Sequence, residues 1–307
     1  MLKSRLCIAF FAFAVGCAPA QKPLTDYVNP MLGTATLWDS VDLGFKPTKR
    51  TWGAEVFPGS ALPNAMVQVS PVTKFHSGAG YQYEDSVIYG FTHTNKGHWN
   101  LCHIPLLPVT GTPTPGDYCS PFSHERESAA PGYYQVFLDR YGVDAQLSST
   151  LRCAFHKYTY PAGAAPAVLA DLQRSNEHVR AWDIRKEGDN VFAGWQQTGE
   201  KMYFYAVANR PVTGIEPVVE GDREVRIVRF GEGDGALELR IGFSFVSEKN
   251  ARENLEAEML GKSFAEVRSE ATATWNDLLG RIRVEGGTER EKGLLYSSLY
   301  RSPHWAG

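Results

Sequence analysis

Short apolar runs that alternate with polar residues fill residues 26–247 and predict β-strands. Gly, Asn and Asp cluster between the runs, as expected of turns. Residues 202–207 are continuously apolar, which predicts a strand buried on both faces. The clearest alternating runs are at residues 65–69, 134–138, 191–195 and 237–243. So many short strands in one span predict a mainly β fold, a large antiparallel β-sandwich.

The pattern changes to helical spacing after Ser247, where residues 248–259 are highly charged. A capping box at Ser263 and Glu266 then opens an amphipathic helix. Its apolar residues step by three or four positions and so share one face. They are Phe264, Val267, Ala271, Trp275, Leu278 and Ile282. We therefore expect two linker helices beside the sandwich, with Trp275 packed against it.

A second capping box, at Thr288 and Glu291, opens a final short helix that ends at Pro303. A helix this short needs tertiary packing to be stable, yet little sequence follows it. We expect an exposed apolar patch on this helix and interpret the chain as the N-terminal part of a longer protein. The patch would consist of Leu294, Leu295, Leu299 and Tyr300.

Residues 1–20 have the pattern of an export signal. A positively charged start precedes an apolar run at 8–15, which is too short to span a bilayer. Cleavage after Ala20 would release a soluble protein. The alternative is a bacterial lipobox that ends at Cys17 and would leave a lipid anchor there. Ala14 is atypical at the first lipobox position, which favours soluble secretion. Both alternatives place the protein outside the cytoplasm, in the periplasm or the medium.

The formal net charge of −3 supplies no basic field, so nucleic acid is not an expected partner. Aromatic residues make up 12% of the chain, with 7 Trp and 14 Tyr. This content suits a large β core, and aromatic rings also stack on sugar faces.

Three cysteines follow the signal region, namely Cys102, Cys119 and Cys153. An exported protein can form disulfides, but the spacing does not select a pair. Two alternatives therefore stay open: one disulfide between two of the cysteines, or three buried and inert thiols.

Five short motifs are distributed along the chain after the signal region. They are YVNPMLGT at 27–34, FPG at 57–59, GFTHT at 90–94, EGGT at 285–288 and LYRS at 299–302. Together they resemble glycoside hydrolase family 92, a family of secreted bacterial α-mannosidases, and they occur in the family's order over nearly the whole chain after the signal region. Two departures stand at positions 64–65, where Asn-Ala replaces the usual Phe-Gly, and at Asn95, where a second His is common.

The resemblance implies a β-sandwich followed by an (α/α)6 barrel, with the active site in the cleft between them. In this family the acid Glu, the paired Asp base and most Ca²⁺ ligands lie in the barrel. Inverting hydrolysis places the acid and base roughly 6.5–9.5 Å apart. No barrel motif occurs in this sequence, so we assign it no catalytic residue and no metal ligand. The expected segments are a signal peptide at 1–20, the sandwich at 21–247, a helical linker at 248–285 and the start of the truncated barrel at 286–307.

The sugar-contacting residues that we expect are Trp99, His93, Glu55 and Trp52. A hydrogen-bonded structural histidine is the alternative for His93, and packing of a turn is the alternative for Trp52. The five-residue spacing of His93, His98 and His103 does not suit a metal site. Glu84 and Asp85 are adjacent, and a solvated turn explains them better than an acid/base pair.

The full-length relative would be an exported, Ca²⁺-dependent, inverting exo-α-mannosidase acting on N-glycans or mannan. This chain would supply one wall of its active-site cleft, and its partner would be the C-terminal catalytic domain. The alternatives are a stand-alone module that binds mannosides and an inactive gene fragment.

Overall fold

The computed structural model describes residues 22–36, 56–95 and 101–304. Two large antiparallel sheets form the body of these residues. The strands are β1 Ser60–Ala61, β2 Gln68–Val72, β3 Val87–Ile88, β4 Gly90–Thr92, β5 Leu106–Val109, β6 Ser120–Pro121, β7 Glu127–Ala130, β8 Tyr133–Leu138, β9 Val143–Ser149, β10 Cys153–Thr159, β11 Ala167–Ala170, β12 Ala181–Gly188, β13 Val191–Gln197, β14 Lys201–Ala208, β15 Val212–Glu220, β16 Arg223–Phe230 and β17 Leu237–Ser244.

The strand order is β1-β2-β4-β5-β11-β16-β15 in the seven-stranded sheet and β12-β13-β14-β17-β10-β9-β8-β7 in the eight-stranded sheet. A separate pair is formed by β3 and β6. One continuous hydrophobic core contains buried residues of both large sheets, such as Val69 and Phe204. The predicted antiparallel sandwich is confirmed.

Strand β14 differs from the sequence prediction, which was a strand buried on both faces. Met202, Phe204 and Ala206 are fully buried, whereas Tyr205 and Val207 on the other face are only partly buried. That second face lies under the first helix, so the continuous apolar run marks a strand covered by a helix on one side.

Three α-helices follow the strands: α1 Glu248–Glu258, α2 Phe264–Leu279 and α3 Glu289–Arg301. Short 3-10 helices occupy Leu24–Tyr27, His124–Arg126 and Ser302–His304. Both predicted capping boxes are present at the starts of α2 and α3. Helix α1 packs on the outer face of the eight-stranded sheet, where Leu255 joins a cluster with Phe155.

Helix α3 is better buried than the sequence predicts. Tyr296 and Tyr300 lie in a cluster with Trp275 of α2 and Leu24 of the N-terminal 3-10 helix. The predicted exposed patch is therefore wrong at Tyr300, which is fully buried, while Leu294 is 46% exposed. The sequence pattern could not reveal that the 3-10 helix Leu24–Tyr27 packs against α3.

Two glycines, Gly59 and Gly132, are required by close packing. A Cβ on Gly59 would lie 2.1 Å from the carbonyl oxygen of Val69 in β2. A Cβ on Gly132 would lie 2.5 Å from the Cβ of Ala271 in α2, and Gly132 also has a φ of +79°. The glycine at 59 lets the FPG loop approach the sheet, and the glycine at 132 lets α2 approach the turn before β8.

Cys102, Cys119 and Cys153 are free thiols, and Cys119 is partly exposed. Burial raises the pKa of Cys102 to about 12, which keeps that thiol protonated and inert. In the part of the chain that the structure describes, no helix has the length and apolarity needed to cross a membrane.

Candidate functional site

A polar cavity of about 1290 Å³ lies among loops at one end of the sandwich. Four chain segments line it, and they follow β2, lead into β3, join β11 to β12, and join β15 to β16. These segments contain lining residues within 73–76, 84–89, 173–182 and 222–223. The cavity exceeds the usual volume of a small-molecule pocket, so it has room for an extended ligand.

A buried carboxylate fixes two arginines in the cavity wall. Asp171 is fully buried, and its Oδ2 accepts hydrogen bonds from Tyr118 at 2.6 Å and from Arg223 at 2.6 Å. The guanidinium of Arg174 lies 3.8 Å from the same oxygen and 5.1 Å from the ring centroid of Tyr89. Burial raises the pKa of Asp171, and its three partners oppose that shift. The cation–π contact and the carboxylate together hold Arg174 in place.

The carboxylates of Glu84 and Asp85 accept local hydrogen bonds on the same wall. Glu84 Oε1 accepts from the backbone N–H of Thr36 at 2.6 Å. Asp85 Oδ2 accepts from the hydroxyl of Thr73 at 2.8 Å. The two side chains thus serve different partners at the cavity edge, in keeping with the predicted polar turn.

The cavity wall contacts the residue before segment 37–55 and the residue after segment 96–100, and these two segments contain Trp52, Glu55 and Trp99. Thr36, which is bound to Glu84, precedes residues 37–55. Leu101 follows residues 96–100, and its carbonyl oxygen accepts hydrogen bonds from Ser175 at 2.6 Å and from Asn176 at 2.9 Å.

The residues Trp52, Glu55 and Trp99 lie outside the described residues, as does Cys17. Their roles remain predictions.

The chain that follows residues 96–100 has an unusual backbone. Leu101, Cys102 and Ile104 have φ values of 71°, 58° and 53°, in the left-handed region that non-glycine residues seldom occupy. The backbone N–H of Cys102 donates to the carbonyl of Thr94 at 2.7 Å, which closes the base of the loop. Strained backbone of this kind is concentrated at functional sites, which supports a binding role for this region.

His93 lies inside the sandwich and is fully buried. Its Nε2 is 2.9 Å from Nε2 of His156, and its ring centroid is 4.5 Å from that of Phe243. Burial lowers the pKa of His93 to about 3. These surroundings favour the structural alternative for this residue, and a contact with sugar stays a prediction.

Arg301, at the end of α3, donates hydrogen bonds to Pro30 and Phe57, which lie before and after residues 37–55 in the sequence. Its Nη1 donates to the carbonyl oxygen of Phe57 at 2.9 Å, and its Nη2 donates to the carbonyl oxygen of Pro30. Burial lowers the pKa of Arg301. The last helix therefore fixes the chain on both sides of the segment that contains Trp52 and Glu55.

The described residues contain no group of three or more His, Cys, Asp or Glu side chains placed to hold a metal ion.

Sequence analysis missed His76 and Trp182, which line the cavity. Trp182 is partly exposed, and the guanidinium of Arg226 lies 5.3 Å from its ring centroid. From the apolar pattern alone, Trp182 is indistinguishable from other strand residues. Its position in the cavity wall becomes visible only in the folded structure, where loops distant in the sequence come together.

A β-sandwich with helices along one side and a polar cavity at one end is an architecture found in carbohydrate-active enzymes. Family models identify it further. The Glycosyl hydrolase family 92 N-terminal domain matches residues 27–254, and the family's catalytic domain matches residues 250–305. The chain belongs to glycosyl hydrolase family 92.

Solved structures of this family agree. A family GH92 alpha-mannosidase from Bacteroides thetaiotaomicron matches with a TM-score of 0.79 and 25% identity, covering 91% of this chain and 41% of that one. Its complex with mannoimidazole gives a TM-score of 0.80, with 25% identity and coverage of 91% and 40%. A family GH92 inverting mannosidase from B. thetaiotaomicron VPI-5482 gives 0.78, with 25% identity and coverage of 92% and 40%.

An uncharacterized secreted glycosidase from Arthroderma benhamiae is 24% identical over 331 residues. The match covers 90% of this chain and 41% of that protein. The chain thus spans about two fifths of the length of these relatives.

Proposed function

We propose that this chain is the N-terminal part of an exported, Ca²⁺-dependent, inverting exo-α-mannosidase and forms one wall of its active-site cleft. The observation that carries the proposal is the match to both family models in chain order, residues 27–254 and then 250–305. The names of the similar structures support mannosides as the substrate class, with mannoimidazole bound in one of them. N-glycans or mannan would supply the mannosides.

The geometry of the cavity supports a polyhydroxylated ligand. Guanidinium, carboxylate and imidazole groups line it beside the rings of Tyr89 and Trp182. Sugars need this combination, since their hydroxyls form hydrogen bonds and their apolar faces pack on rings.

Trp99, His93, Glu55 and Trp52 remain our proposed sugar contacts, and the barrel would supply acid, base and Ca²⁺ ligands. Calcium would bind at a site whose ligands lie mostly outside the described residues.

A binding module is a second candidate because α3 is packed within this chain. Tyr296 is 2% exposed and Tyr300 is fully buried, so the described residues cover this part of the apolar side of α3, while Leu294 stays 46% exposed. Such a unit would bind mannosides without the barrel.

The DNA downstream of the Gly307 codon separates the two candidates. An in-frame barrel supports the enzyme, and that full protein should then hydrolyse α-1,2-mannobiose with loss of activity in EDTA. Proton NMR of the first product should show β-mannose, as inversion requires. Initial release of α-mannose would contradict the inverting mechanism. A stop codon together with mannobiose binding would support the module.

A further inference from the structure

His76 is held in the cavity wall by two hydrogen bonds to one residue. Its backbone N–H donates to Oδ1 of Asn176 at 2.8 Å, and its ring Nδ1 lies 3.1 Å from the carbonyl oxygen of Asn176. His76 has a φ of 61°, in the left-handed region. We call these two hydrogen bonds between His76 and Asn176 the clasp. The clasp explains how this unfavourable backbone conformation persists, because two bonds to a fixed partner oppose its relaxation.

Asn176 is itself fixed. It is 6% exposed, and its Nδ2 donates to the carbonyl oxygen of Ser77 at 3.0 Å. Its backbone N–H donates to Leu101, which follows residues 96–100. The clasp thus ties the turn around His76 to Leu101, the residue that follows residues 96–100 in the sequence.

The clasp also determines the tautomer of His76. A carbonyl oxygen only accepts hydrogen bonds, so Nδ1 must carry the proton. In the neutral ring, Nε2 then has a free lone pair. His76 is exposed and lines the cavity, and Nε2 has no hydrogen-bond partner among the described residues. An imidazole oriented in this way is a fixed acceptor that awaits a donor.

The charges around the cavity favour a neutral donor. Formal charges of the lining residues balance, with four cationic and four acidic side chains, so neither an anion nor a cation is selected. They are Lys74, Arg174, Arg180 and Arg223 against Glu84, Asp85, Glu177 and Asp222. Groups of three metal-ligating side chains do not occur in the described ranges. The donors left are neutral hydroxyl and N–H groups, and of these the proposed function favours a hydroxyl.

We propose that His76 is a specificity-determining residue whose Nε2 accepts a hydrogen bond from a hydroxyl of a neutral oligosaccharide bound in this cavity. The ligand class rests on the proposed function, whereas the fixed acceptor rests on the clasp with Asn176.

The test is a long-range ¹H–¹⁵N NMR spectrum of the histidine rings during titration of the chain with α-1,2-mannobiose. We expect the free protein to show the Nδ1–H tautomer at His76 and sugar to shift its Nε2 resonance. His76→Asn assigns the signal, because Asn tolerates left-handed φ and keeps the turn. This variant should bind the sugar about 2–10-fold more weakly, the range expected for one net hydrogen bond.

His178→Asn is the matched control, since His178 is also exposed and lines the cavity. Among the described residues, no hydrogen bond fixes the ring of His178, so this variant should weaken mannobiose binding less than His76→Asn does. Equal losses of affinity in the two variants would overturn the inference. The Nε2–H tautomer at His76, or mannobiose binding measured by calorimetry without a shift at His76, would overturn the inference. A shift with cellobiose but not with mannosides would support the role of His76 and contradict the mannoside proposal. No shift with either sugar would overturn the role of His76.

Discussion

The indole of Trp275 lies against the phenol ring of Tyr300, with ring centroids 4.4 Å apart. The same indole donates its Nε1–H to the carbonyl oxygen of Ala61 at 2.8 Å. One side chain therefore joins α2 to α3 and to the first strand of the sandwich.

This contact predicts a large loss of stability in Trp275→Ala. The free energy of unfolding should fall by about 3–5 kcal/mol, because a fully buried ring and its hydrogen bond are lost. Urea denaturation measures the change. Trp195→Ala is the matched control, since Trp195 is only partly buried on β13, and its loss should be smaller. Equal losses in the two variants would contradict the joining role of Trp275.

Acid should destabilise the fold through buried histidines. Burial lowers the pKa of His93 to about 3 and that of His103 to about 4, and it lowers the pKa of His156 well below 6.5. The unfolded chain therefore binds more protons below pH 6.5, so stability is full above 6.5 and falls as pH decreases toward these values. At pH 4.5 the loss in the free energy of unfolding is about 3 kcal/mol for a single histidine such as His93 or His103.

Unfolding by urea at pH 7.5 and 4.5 measures the effect. His103→Gln should reduce the pH dependence of the free energy of unfolding, because it removes one buried imidazole whose pKa is lowered. A free energy of unfolding that does not change between the two pH values would refute this account.

Residues 1–307 alone should not hydrolyse mannosides. Enzymes lower barriers by about 8–23 kcal/mol, and in the proposed enzyme the acid, base and metal that supply most of this come from the barrel. Incubation with Ca²⁺ and 4-nitrophenyl α-mannoside tests the point. Turnover above the blank that disappears with EDTA would show that a carboxylate such as Glu84 or Asp85 does chemistry that we have not assigned to it.

Arg301→Ala should weaken both stability and sugar binding. The carbonyl oxygens of Pro30 and Phe57 would lose a charged donor, with an expected loss of about 2–4 kcal/mol in the free energy of unfolding. Mannobiose affinity should also fall, because these carbonyls flank the segment with Trp52 and Glu55. Arg290→Ala, an exposed position on the same helix, is the control. If both variants bind sugar as the parent does, Arg301 does not position the site.

The sequence predicted the sandwich because strand alternation and turn residues are local signals. The starts of α2 and α3 could also be predicted from the sequence, since a capping box spans only four residues. The burial of Tyr300 could not be predicted, because one of the residues that cover it is Leu24, which lies far away in the sequence. The cavity could not be predicted either, because its residues come from four separate chain segments. The left-handed φ of His76 also has no signal in the sequence.

The position of β17 has a consequence for biosynthesis. In the eight-stranded sheet, β7 to β10 form one run of sequential neighbours and β12 to β14 form another. Only β17, Leu237–Ser244, pairs with both β10 and β14 and joins the two runs. A growing chain therefore carries two half-sheets with open edges until β17 emerges, and such edges invite aggregation. The late closing strand makes chaperone protection during synthesis most important for the polypeptide that ends just short of Leu237.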